Sequence, residues 1–75
     1  MVTLADLTTN EKAVILKVRA QGELKERLAS FGLRKNSSVK IKLLSMTKSN
    51  IEVEVGTCMI ALRFEEAKKI EVNRI

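Results

Sequence analysis

Apolar and polar positions alternate most plainly in two stretches of this chain. Val39, Ile41 and Leu43 alternate with Lys40 and Lys42, and Ile51, Val53 and Val55 alternate with Glu52 and Glu54. Period-two alternation predicts half-buried strands over Ser38–Leu44 and Ile51–Gly56. Folding back through the polar loop Ser45–Asn50 makes them a hairpin with its apolar residues inward. Lys40, Lys42, Glu52 and Glu54 then share the outer face, where cross-strand ion pairs are expected. Lys12–Ala20 predicts another strand, with Val14, Leu16 and Val18 on one face. Ala13 and Ile15 are apolar as well, so the start of that strand is expected to be covered on both sides.

The period changes between these strands. Leu24, Leu28 and Phe31 are spaced i, i+4 and i+7, which predicts a helix over Gly22–Phe31 with one apolar face. Glu23 and Arg27 are spaced to pair on its outside. Gly32 is expected to end it in the left-handed region, folding Leu33 back on Leu28. Thr3–Leu7 reads as a short anchoring turn and Thr8-Thr9-Asn10 as a polar turn. Cys58–Leu62 predicts a further strand, Arg63–Lys69 a turn or two of helix, and Ile70–Val72 a last short strand. Glu65 and Glu66 near the start of that short helix, with Lys68 and Lys69 near its end, suit the helix dipole.

The order is strand, helix, three strands, short helix, strand. Five short strands in one small domain, residues 1–75, predict a mainly β fold closed or nearly closed into a barrel, which removes free sheet edges. The expected core is Leu4 and Leu7; Val14, Leu16 and Val18; Leu24, Leu28, Phe31 and Leu33; Val39, Ile41 and Leu43; Ile51, Val53 and Val55; and Ile60, Leu62, Ala67 and Ile70. Asn10, Gly32 and Asn36 are expected to have positive φ, each ending an element.

Composition narrows the class. Aromatics are 3% of the 75 residues, so the core must be aliphatic. A single cysteine allows no internal disulfide, which favours a reducing compartment. No apolar run is long enough to span a bilayer, and Met1–Asp6 does not resemble a signal peptide. A cytoplasmic protein is expected. The net charge of +5 is local: Arg27–Ile51 holds six basic residues and no acidic one, while the rest is nearly balanced. Such a face suits an acidic protein, nucleic acid or acidic lipid, and equally a solvated surface.

Catalytic chemistry is missing. The chain has no histidine, and Gly22, Gly32 and Gly56 stand too far apart for a phosphate loop. Glu23, Glu26, Glu65 and Glu66 lie beside basic residues on expected helices, as solvated faces do. Cys58, in an apolar strand beside Met59 and Ile60, reads as a small buried thiol rather than a metal ligand. No enzyme, cofactor or metal site is expected.

Three segments carry a resemblance. Thr3-Leu4-Ala5-Asp6-Leu7, Arg27-Leu28-Ala29-Ser30-Phe31-Gly32-Leu33, and Ala61-Leu62-Arg63 followed by Glu66-Ala67 and Ile70 together resemble the FeoA family of bacterial ferrous iron transport, nearly end to end. The chain departs from the family where Thr9-Asn10 replaces Pro-Gly, where Arg34-Lys35-Asn36 replaces Thr-Pro-Gly, and in the loop Met46–Asn50. Asparagine is the residue next most tolerant of positive φ, so the turns can survive. The resemblance implies an SH3-like barrel and a partner, the membrane GTPase-transporter FeoB. Some members are associated with transition metal ions. The fold also occurs as the C-terminal domain of iron- and manganese-dependent repressors, where a helix-turn-helix precedes it; that arrangement is not expected for this chain.

The expected role is that of an adaptor binding the GTPase part of the transporter. A nucleic-acid-binding small β-barrel is the alternative, and direct carriage of iron a third reading. Lys40 and Lys42 are expected to be neutralised across the hairpin. That leaves Arg34 and Lys35 after the helix, Lys48 in the hairpin loop and the nearby Met46 as candidate partner contacts.

Overall fold

The computed structural model describes residues 2–44 and 49–75, with the side chains of Leu43 and Leu44 outside that description. The order is a single 3-10 turn at Leu4–Asp6, then β1 (Lys12–Val18), α1 (Gly22–Ser30), β2 (Ser38–Leu44), β3 (Asn50–Val55), β4 (Cys58–Arg63), α2 (Phe64–Ala67) and β5 (Ile70–Arg74). Every expected element is present. All neighbouring strands are antiparallel.

The expected barrel does not close. The five strands form one open sheet in the order β4-β3-β2-β1-β5, and β4 and β5 are not hydrogen-bonded to each other. The cause lies at the N-terminus. Thr3 bridges Glu71, and the Val72 N–H donates to the Val2 carbonyl at 2.8 Å. The outer edge of β5 is thus occupied by residues 2 and 3. Helix α2, inserted between β4 and β5, carries the chain across the gap instead.

The core is aliphatic. Leu4, Leu7, Ile15, Leu28, Leu33, Ile41, Ile51, Val53, Leu62 and Ile70 are fully buried, with Val39, Ile60 and Ala67 beside them. The β1 face departs from expectation. Ala13 and Ile15 point inward, Val14 and Val18 are half-buried, and Leu16 is 43% exposed. The β1–β5 register shifts between Ile15 and Lys17, and this irregularity at Leu16 breaks the alternation. Ala20 and Val72 complete the buried set. Leu24 and Val55 only pack against it from half-buried positions, and Leu43 lies among the undescribed side chains.

Helix α1 ends as the glycine required. Gly32 has φ of 94°, its N–H donates to the Ala29 carbonyl, and the Leu33 N–H donates to the Leu28 carbonyl at 3.0 Å. This Schellman pattern buries Leu28 and Leu33 together. It also explains why Phe31 is not core. Phe31 is the C-cap, where the chain leaves the helix, and its side chain is 43% exposed. Asn10 and Asn36 take φ of 73° and 75°, as expected where glycine would otherwise stand.

Candidate partner-binding groove

Two local devices place the basic residues after α1. The Ser37 N–H donates to the Arg34 carbonyl at 3.0 Å, closing a four-residue turn with Lys35 and Asn36 at its centre. Positive φ at its third residue is what a type II turn requires, and Asn36 supplies it. The turn is then fastened to β1. The Asn36 N–H donates to the Ile15 carbonyl at 2.7 Å, and the Ile15 N–H donates to the Ser37 carbonyl at 2.9 Å. Arg34 and Lys35 therefore sit next to the irregularity at Leu16.

The result is an open groove of about 410 Å³ between β1, α1 and this turn. Its floor is apolar: Leu16, Val18, Ala29 and Leu33. Its rim is basic: Lys17, Lys25, Arg34 and Lys35, all exposed. No carboxylate lines it among the described residues. Glu71 lies opposite Lys17 in the β1–β5 register, but its carboxylate pairs with Arg19 at 3.1 Å. None of the four rim cations forms an ion pair with a described residue.

Of the four candidates read from the sequence, Arg34 and Lys35 share this rim, and Met46 and Lys48 lie outside the described residues. Sequence reasoning missed Lys17, Lys25 and the apolar floor. Lys25 and Ala29 are four apart on α1, a detectable one-face spacing, but nothing local shows that β1 lies alongside.

The expected neutralisation of the hairpin lysines is only partial. Lys42 Nζ lies 3.6 Å from Glu54 Oε2, whereas Lys40 has no ion pair among the described residues. The β2–β3 register shifts between Ile41 and Leu43, which puts Leu43 rather than Lys42 opposite Glu52. Arg27 does not pair with Glu23 either. It reaches across to Glu66 of α2.

Cys58 is exposed, contrary to expectation. It is the first residue after the Gly56-Thr57 turn, beyond the covered part of β4. Met59, 54% exposed, and Phe31 flank it in an apolar hollow beside the free β4 edge. A larger hollow, about 530 Å³ and lined by residues that include Arg63, Glu65 and Lys68, mixes both charge signs. Among the described residues no three histidine, cysteine or carboxylate side chains converge on a point where a metal ion could be held. The donors present therefore do not fit a resident metal. No helix among the described residues is long and apolar enough to cross a membrane.

Comparison with known proteins agrees from end to end. The model of the FeoA domain matches residues 2–74. A Campylobacter jejuni protein provisionally named Fe(2+) transport protein A is 45% identical over 73 residues, covering 97% of this chain and 99% of its own. The solution structure of iron(II) transport protein A from Clostridium thermocellum superposes with a TM-score of 0.93 at 28% identity, covering 99% of this chain and 46% of that one. The Stenotrophomonas maltophilia FeoA, described as an SH3 domain protein and solved with zinc, gives a TM-score of 0.85 at 28% identity over 97% of this chain and 91% of its own. A manganese-dependent transcriptional repressor, 16% identical, shares the fold with a TM-score of 0.89. The sequence match over nearly the whole length, on a fold shared with solved FeoA proteins, shows that this chain belongs to the FeoA family of ferrous iron transport.

Proposed function

We propose that this chain is a non-enzymatic accessory protein of ferrous iron transport, which binds the GTPase part of the membrane transporter FeoB and modulates it. The observation that carries the reading is the groove, a preformed docking surface in a chain that otherwise lacks the means for chemistry. The sequence has no histidine, and the one cysteine stands exposed at a hairpin end. Family membership supplies the pathway. The Stenotrophomonas protein, described as a candidate activating factor for ferrous iron transport, supports an activating role.

Arg34 and Lys35 are the proposed contacts, held by a turn tied to β1 on both sides. Charge on such a rim speeds encounter and selects partners more than it adds affinity. The nucleic-acid reading has less support. The groove lacks an aromatic ring for base stacking, and Phe64, half-buried, has Lys68 Nζ 5.5 Å from its ring centroid.

Titration of the purified GTPase domain of the cognate transporter tests the proposal, together with ferrous iron uptake by a deletion strain. Saturable binding and impaired uptake are expected. Absence of both removes the adaptor role.

A further inference from the structure

We infer that the groove between β1 and α1 takes a short acidic segment of its protein partner, one that carries apolar anchors among its carboxylates. This deepens the adaptor reading and rests on it.

The argument begins with the rim. Four exposed cations without an ion-pair partner surround one depression. Elsewhere Arg19 pairs with Glu71, Arg27 with Glu66, Lys42 with Glu54 and Arg74 with Glu11. Lys12, Lys40, Arg63 and Lys68, without an ion pair among the described residues, line hollows that also hold a carboxylate, Glu54 or Glu65. Unmatched charge of one sign around a concavity concentrates field there and favours an anionic occupant.

The floor decides which anion. Leu16 is 43% exposed, because Ala13 and Ile15 hold the inward face of β1 and leave Leu16 on the outer one. Val18 and Ala29 are half-buried beside it. A phosphate backbone would gain nothing from covering these side chains, whereas aliphatic side chains of a peptide would remove them from water. The apolar surface is also a recessed floor ringed by charge, not a protruding wedge. A flat anionic bilayer meets the rim, while a peptide can enter. An acidic chain with aliphatic side chains facing the floor satisfies both features at once.

Isotope-labelled protein is titrated with overlapping peptides that tile the soluble sequence of the cognate transporter. Oligoglutamate, a single-stranded DNA oligonucleotide and phosphatidylglycerol-rich vesicles serve as the other probes. A peptide rich in Asp, Glu and Leu or Ile is expected to shift the amides of Leu16–Val18, Ala29 and Leu33–Lys35. Leu16→Ser should weaken its binding about tenfold, and the loss should persist at high salt. Lys17→Glu with Lys35→Glu should weaken it about tenfold at low salt and flatten its salt dependence. All three side chains are exposed, so thermal melting should stay near that of the parent protein. If oligoglutamate, DNA or vesicles bind as tightly and Leu16→Ser changes nothing, the inference is overturned. The intact GTPase domain is titrated in parallel. If it binds the parent and both variants equally, another face is used and the adaptor reading survives alone. If it does not bind the parent protein, both readings fall together.

Discussion

Arg27 Nη2 donates to Glu66 Oε2 at 2.6 Å, while Glu66 Oε1 accepts the Arg63 backbone N–H at 3.0 Å. One carboxylate thus ties the end of α1 to the start of α2, thirty-nine residues later. Arg27 opens one of the segments that carry the family resemblance, and Arg63 and Glu66 belong to another. The resemblance therefore marks a contact as well as two helix ends.

Burial alone would push the Glu66 carboxyl upward. The Arg63 N–H and then the Arg27 guanidinium outweigh it and hold the carboxyl below its ordinary value of 4.5. The stability gained is full above the ordinary carboxylate range and is lost as pH falls through the depressed folded value. Arg27 is half exposed, so solvent screening keeps the gain modest. Glu66→Gln should cost about 1 kcal/mol at neutral pH. Urea midpoints check this: the gap between the variant and the parent should shrink when both are measured at about pH 3.

Leu28 and Phe31 lie three apart on one apolar stripe but have different fates. Leu28 is fully buried, and Leu28→Ala should cost about 2–5 kcal/mol, a large share of a small domain's stability. Phe31→Ala should cost less, about 1 kcal/mol, because Phe31 remains 43% exposed in the folded chain. Paired denaturation curves settle the ranking, and equal losses would contradict the exposure of Phe31.

How far these features could be read in advance depends on whether their causes are local. The ends of elements were legible because Gly32, Asn10 and Asn36 carry their backbone preferences with them. The β2–β3 hairpin was legible because only one parity is apolar. In β1 both parities are apolar from Ala13 to Leu16, so the pattern left the inward face open, and the structure turns Ala13 and Ile15 inward, the opposite of the expected choice. Phe31 kept the helical spacing but fell one residue past the helix. That the sheet stays open could not be read at all. It depends on residues 2 and 3 reaching the edge of β5 seventy residues away. Half of the groove's rim was visible as cations in a turn. Lys17 and Lys25 join it only when β1 and α1 are brought together.

Gly32 offers a sharp backbone test. An added Cβ would sit in the left-handed region and meet Val55 Cγ1 at 3.3 Å. Gly32→Ala should cost about 1–2 kcal/mol. Asn36 shares the sign of φ, and Asn36→Gly should stay within about 0.5 kcal/mol of the parent, since relief of strain offsets greater freedom in the unfolded chain. Asn36→Ala should be clearly worse than Asn36→Gly. Equal midpoints for the two would show that positive φ at residue 36 carries no strain.

The covering of the β5 edge can be probed through Asp6. Its Oδ2 accepts the Thr3 N–H at 2.9 Å and lies 3.3 Å from the Thr3 hydroxyl. That clamp fixes the turn whose preceding residues bridge Glu71 and accept the Val72 N–H. Leu4 and Leu7, both buried, anchor the segment independently. Asp6→Ala should therefore loosen the edge without unfolding the domain, at a cost of about 1 kcal/mol. Hydrogen exchange distinguishes a local loss from a global one. The Val72 amide, which donates to Val2, should exchange markedly faster in the variant. The Ile15 amide, which donates to Ser37 in the middle of the sheet, should change only as far as global stability falls. If the two amides accelerate by the same factor, the N-terminal segment is part of the global folding unit, not a separable cover on the edge of β5.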